Sequence, residues 1–257
     1  MIKSLYLIFV LFIFATIGTI AQKEAYNWHF GYGCGITFNT PDREPVMLTG
    51  SAIWQLEGVS GISTGAGELL FYSDGKEVYN RANTWMNYRI FLKSAFSATM
   101  SSVIFPKPGS KNLYYIVTCD AAKYIEPPND GIHYSVIDMN LRDGMGDFVE
   151  VNKPLWIPTA EKLIAIRHLN GNDVWAVGHE WMSKKFISFK FSGNGVSDTV
   201  FSEVGSLHGD INDQWDSTSI GYMKASPQGD KIALVKYGVP VVEVFRFNRQ
   251  TGELYNY

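Results

Sequence analysis

Four segments of this chain repeat one grammar: a strand, a tight turn built on glycine, a hydrophobic strand rich in β-branched and aromatic residues, and then an alternating strand. The first has a strand at 61–63, a turn at 64–67, the strand 68–73, an Asp74-Gly75 turn and the strand 77–79. Asp-Gly between apolar runs is a hairpin signal, because glycine accepts the left-handed backbone that the turn needs. The second has strands at 102–105, 113–118 and 133–138 around the turn 106–112. The third has strands at 162–166, 174–177 and 185–191, and the fourth at 221–227, 232–235 and 241–248. The turn glycines Gly67, Gly109, Gly171 and Gly229 lie 42, 62 and 58 residues apart, so each unit has about the size of a four-stranded propeller blade plus a loop. A β-sandwich would supply similar strands but has no reason to repeat this unit. The pattern predicts an all-β chain, a WD40-like or YVTN-like β-propeller whose blades bury their faces against one another.

The first twenty-one residues differ from the rest. They carry Lys3, no acidic side chain, an apolar core from Leu5 to about Ile17, and small side chains at Thr19 and Ala21. That is the layout of a signal peptide cleaved before Gln22, with an apolar core shorter than the ~20 residues a bilayer-spanning helix needs. The expectation is a leader over 1–21 and a propeller domain over 22–257, secreted or at the cell surface, with no membrane span after cleavage. A net charge of −3 gives nucleic acid no electrostatic footing. At 14% aromatic and 18% charged residues, the chain has ample core material and is not disordered. Its two cysteines, Cys34 and Cys119, are too few for a disulfide scaffold, and whether they pair is open.

Residues 26–257 resemble a known family, the WD40-like propeller region of large secreted proteins associated with gliding motility and type IX secretion. The resemblance is carried by residues 27–38 (NWHFGYGCGITF), 67–75 (GELLFYSDG) and 131–139 (GIHYSVIDM), together with Glu161-Lys162-Leu163, Gly178-His179-Glu180-Trp181 and residues 221–227 (GYMKASP). Family members continue into further blades, immunoglobulin-like repeats and a C-terminal sorting domain. The resemblance therefore implies a surface protein in which further C-terminal domains follow.

Several motifs suggest chemistry. Residues 61–65 match G-x-S-x-G, but a nucleophile elbow needs a following helix, and here a glycine turn and a strand follow. Ser63 reads as a turn serine. Residues 31–35 (GYGCG) lack the spacing of a dinucleotide fingerprint and read as a bulged strand. His179 and Glu180 could bind metal or exchange protons, yet no further ligand is identifiable, which favours packing with Trp181. His208, Asp210, Asn212, Asp213 and Asp216 form the most polar cluster, and oxygen-rich loops can hold Ca²⁺. The spacing lacks the EF-hand glycine and terminal glutamate, so the plainer expectation is a solvated interblade loop and no cofactor. His179, Glu180, Trp181 and His208 are the candidate surface or axis contacts.

Three functions stay open. The first is a non-catalytic binding or scaffold module that takes a protein or carbohydrate ligand at loops such as 121–130 and 206–219, since rigid blades can carry variable loops. The second is a propeller enzyme, carbohydrate-active or quinone-dependent, with side chains converging at the axis. The third is a structural spacer or adhesin segment. Because 251–255 reads as a turn entering a strand two residues before the last residue, the expectation is an incomplete ring of four to five blades, with an unpaired partner for 28–30 or 36–38.

Overall fold

The computed structural model describes residues 23–122, 129–213 and 216–256; the expected leader and residues 123–128 of the 121–130 loop lie outside them. The described residues form five small antiparallel sheets in chain order. Sheet 1 holds β1 (Asn27–Phe30), β2 (Tyr32–Thr37) and β3 (Val46–Trp54), and sheet 2 holds β4 (Ser60–Ser63), β5 (Leu69–Ser73) and β6 (Val78–Asn80). Sheet 3 holds β7 (Ser102–Pro106), β8 (Leu113–Cys119), β9 (Ile132–Asp138) and β10 (Asp147–Trp156). Sheet 4 holds β11 (Thr159–Arg167), β12 (Val174–Glu180), β13 (Ser183–Ser192) and β14 (Gly195–His208). Sheet 5 holds β15 (Met223–Ala225), β16 (Lys231–Val235), β17 (Val242–Phe247) and β18 (Leu254–Asn256). No helix among the described residues is long and apolar enough to cross a membrane.

Each sheet is a meander, its strands pairing with their neighbours in sequence, and the turns between strands explain the repeat. Gly67, Gly109, Gly171 and Gly229 have φ of +91°, +76°, +76° and +71°, a region that side-chain-bearing residues rarely adopt. The four repeated units correspond to sheets 2, 3, 4 and 5. Of the two runs expected to lack a partner, 28–30 lies on β1 and pairs with β2, Trp28 opposite Ile36, and β2 pairs in turn with β3, Ile36 opposite Met47. The turn and outer strand expected at 251–255 lead into β18, which pairs with β17 and gives sheet 5 four strands.

The sheets pack on one another in the same order. Successive side chains along a strand point to opposite faces, and the central strands use both. Tyr72 stacks on His29 of sheet 1 with ring centres 3.9 Å apart, while Phe71 meets Tyr114 of sheet 3 edge-on at 5.7 Å. Tyr115, next to Tyr114, packs edge-on against Phe191 of sheet 4 at 4.9 Å. From the other face of sheet 4, Phe186 reaches Phe245 of sheet 5 at 5.1 Å. The first strands follow suit, with β1 beside β4, β4 beside β7, β7 beside β11 and β11 beside β15. Sheets 1 and 5 end the series, and their outer faces carry solvent-facing apolar residues, Trp28 at 53% exposure and Val244 at 41%.

This two-sided burial sets the cost of truncation. Phe71→Ala is expected to lower the unfolding free energy by about 3–5 kcal/mol, the usual cost of emptying a fully buried phenylalanine site. On the outer face of sheet 5, Val244→Ala should stay within about 0.5 kcal/mol. Urea titrations followed by tryptophan fluorescence measure both, and equal losses at the two positions would contradict the packing order.

Candidate functional site

The strand that positions the site is β11, which opens with six buried residues, Thr159 to Ile164, among them Glu161 and Lys162. Two adjacent buried charges in a strand need partners, because a bare charge away from water is costly. Glu161 Oε2 accepts hydrogen bonds from the Thr99 backbone N–H and hydroxyl, both at 2.8 Å, and Oε1 accepts from the Ala122 N–H at 3.0 Å. Burial pushes its carboxyl pKa up, and these three bonds oppose the rise. Lys162 Nζ donates to the backbone carbonyls of Ser219 (2.9 Å) and Gly221 (2.7 Å), and burial pulls its pKa down to about 7. One strand therefore anchors both the β6–β7 connection, through Glu161, and the β14–β15 connection, through Lys162.

Those two connections form part of the wall of a cleft of about 950 Å³. Leu56 and Glu57, between β3 and β4, and Thr99 line one side; Ile220, Gly221 and Tyr222, with Val235 to Gly238, line the other. The second wall is a short antiparallel extension of sheet 5, in which Tyr237 N–H donates to Ile220 O and Val235 N–H to Tyr222 O, each at 3.0 Å. Tyr222 and Tyr237 are 52% and 64% exposed. Thr99 and Tyr222 also border a second cavity of about 760 Å³ that runs along the first strands, past Ser60, Val103, Ile164 and Lys224. Thr99 Oγ lies 2.8 Å from Glu57 Oε2 as well as from Glu161 Oε2.

The residues singled out in the sequence lie behind this wall and are mostly committed to structure. His179, at the end of β12, and His208, at the end of β14, are both fully buried, with ring centres 4.2 Å apart, so neither is a surface contact. The Glu180 carbonyl can only accept, so His179 Nδ1 carries the hydrogen at 2.8 Å from it. Burial first, and then the nearby Lys162 and Lys236 charges, pull the His208 pKa to about 3. Its 3.0 Å contact with Glu243 Oε2 is therefore a hydrogen bond from a neutral imidazole, although the distance is that of an ion pair. His179 is likewise held well below the ordinary range, by burial and then by His208. Glu180 pairs with Lys185 at 2.9 Å, and Trp181 Nε1 donates to Asp216 Oδ2 at 2.6 Å.

The expected solvated loop is partly an interior one. Asp216 is fully buried, and its second oxygen accepts the Asp210 N–H at 2.8 Å. Asp210 Oδ1 caps the Asn212 N–H at 2.9 Å and Asp213 Oδ2 the Ser217 N–H at 2.8 Å, so these carboxylates fold the loop onto its own backbone. No group of three His, Cys, Asp or Glu among the described residues is arranged to hold a metal ion. Ser63 lies at the end of strand β4 rather than in a turn, buried and bonded to Asn27 Nδ2 at 2.8 Å. Cys34, exposed on sheet 1, and Cys119, buried on sheet 3, are both free thiols. Glu57, Thr99, Tyr222 and Tyr237 escaped the sequence reading because they come from four separate connections; the adjacent charges Glu161-Lys162 heading an apolar run were the available signal.

No family model matches the chain, and no curated protein matches it. Among solved structures it is similar to a functionally unknown protein from Desulfotomaculum acetoxidans DSM 771, at 13% identity and a TM-score of 0.43. The similarity covers 87% of this chain and 61% of that one.

The buried histidines make stability pH-dependent with a definite sign. A histidine whose folded pKa lies below its unfolded value leaves the unfolded chain to take up the proton first, so its contribution is fully present above about pH 6.5 and is lost as pH falls below it. With a folded value of about 3, His208 accounts for a loss of about 2 kcal/mol between pH 7 and pH 5. His208→Asn can still donate to Glu243 but does not titrate, and its urea-derived stability should fall by about that much less over the same interval. Parallel pH profiles for the two proteins would contradict the neutral, buried His208.

Proposed function

We propose that this protein is an exported, non-catalytic β-propeller module that binds its ligand in the cleft between the β3–β4 and β6–β7 connections and the end of sheet 5. In this reading the five sheets are blades, β1, β4, β7, β11 and β15 surround the axis, and the cleft opens at one end of it. One observation carries the reading: the first strands neighbour one another in chain order, and a cavity of about 950 Å³ with two half-exposed tyrosines lies beside them. Rigid sheets with a concave, partly aromatic mouth are a common form of binding site. The buried carboxylates of Glu161 and Asp216 are engaged by N–H and O–H donors, which suits a binding role better than acid–base catalysis. In keeping with the resemblance to gliding motility-associated proteins, the module would serve as a binding or scaffold part of a larger surface protein, with a protein or carbohydrate partner.

The test is a comparison of the wild-type protein with Tyr222→Ala and Tyr237→Ala on glycan and peptide arrays. A ligand retained by the wild type and bound at least about tenfold more weakly by both variants supports the reading. Ligands whose retention ignores both tyrosines would contradict the cleft as the site, and turnover of a bound ligand would contradict the non-catalytic role.

A further inference from the structure

We propose that the cleft receives an alkylammonium group, its charge between Glu57 and the Tyr222 and Tyr237 rings and its carbon stem against Leu56 and Ile220. The proposal rests on the cleft being a binding site and adds the chemistry of what it binds.

Thr99 sits between two carboxylates. Its hydroxyl has one hydrogen and two carboxylate oxygens within 2.8 Å, Glu57 Oε2 and Glu161 Oε2. Glu161 already receives two backbone N–H groups, from Thr99 and Ala122. Glu57 receives none, so at most one hydroxyl hydrogen meets a carboxylate with about four acceptor sites. If that hydrogen goes to Glu161, Glu57 Oε2 faces a lone pair instead. Either way the exposed Glu57 carboxylate keeps free acceptor sites at the cleft, and no ion pair engages it among the described residues. The other charge lining the cleft, Lys236, is committed elsewhere, donating to Ser206 Oγ and, at 3.3 Å, to the Leu207 carbonyl, both on β14.

What would complete this floor is a positively charged donor. The half-exposed phenol rings of Tyr222 and Tyr237 add negative π-faces, which attract cations. Leu56, Ile220 and Val235 supply apolar surface for a short alkyl stem. A neutral saccharide would bring as many acceptors as donors and leave the excess acceptors in place, whereas an ammonium brings only donors.

The experiment is an NMR titration of the protein with Nα-acetyl-lysinamide and with the uncharged Nα-acetyl-norleucinamide, which keeps the four side-chain carbons without the ammonium, repeated for Glu57→Gln and Tyr237→Ala. The proposal predicts shifts at the cleft residues with the lysine compound, binding at least about tenfold weaker for the norleucine compound, and a loss of about tenfold in each variant. Equal binding of the two compounds, or unchanged affinity in Glu57→Gln, would overturn it. So would an absence of shifts. n-Butylammonium added alone distinguishes recognition of the free amine from recognition of a lysine side chain in its peptide context; binding of either supports the ammonium site. A neutral oligosaccharide that shifts Tyr222 and Tyr237 when the lysine compound does not would overturn the ammonium specificity while leaving the binding-module reading intact.

Discussion

A small antiparallel meander has two faces and cannot bury either by itself, and the architecture of this protein follows from that constraint. Sheets 2 and 3 resolve it with aromatic residues at consecutive positions, Phe71 and Tyr72 on β5 and Tyr114 and Tyr115 on β8, and sheet 4 with Phe186 and Phe191 on opposite faces of β13. Each member of a pair turns to a different neighbouring sheet. A fully buried phenylalanine is worth on the order of 2–3 kcal/mol of transfer free energy, so each such pair is a large contribution to the packing of one sheet on its neighbours. Among the described residues, sheets 1 and 5 stand at the ends of this packing order and keep exposed apolar residues such as Trp28 and Val244.

Apolar packing alone would let flat sheets slide, and polar fasteners at each junction oppose that. Tyr72 OH accepts the Ala52 N–H of sheet 1 at 2.9 Å, and Ser60 and Ser102 join sheets 2 and 3 at 2.6 Å. Cys119 Sγ reaches the Ala160 carbonyl of sheet 4 at 3.3 Å, and Ser202 Oγ accepts the Leu254 N–H of sheet 5 at 2.9 Å. Inside a low-dielectric interior such bonds are costly to break, which makes them effective at fixing register even where their net contribution is modest. Glu161 and Lys162 extend the same device to the connections. They hold both walls of the cleft on one rigid strand, so the cleft is shaped before any ligand arrives.

The strands that were legible in the sequence are those buried on both faces or closed by a glycine turn. Predicted runs at 113–118, 133–138 and 185–191 lie inside β8, β9 and β13, because continuous apolar runs between turn residues have few other uses. The outer strands β3, β10 and β14 went unread. They are half exposed, and register shifts between Glu150 and Lys153 and between Ser183 and Lys185 break the alternation that would announce them. The burial of His208 and Asp216 was also invisible, since a polar residue at a strand end or in a connection looks solvated unless its partner, here Glu243 or Trp181 far along the chain, is known. Tyr222 of the cleft, and the Glu161-Lys162 pair that holds its walls, were visible in the sequence only as parts of the repeated strands and the family resemblance, and the structure alone brought the four connections together.

The central claim is that sheets 2, 3 and 4 are stable only through their neighbours, so that none is an independent unit. Native-state hydrogen exchange at increasing urea measures this strand by strand. The account predicts that the slowest amides of β5, β8, β12 and β13 converge on a single unfolding isotherm, with the outer strands of sheets 1 and 5 opening earlier. Separate isotherms for the three middle sheets would contradict it.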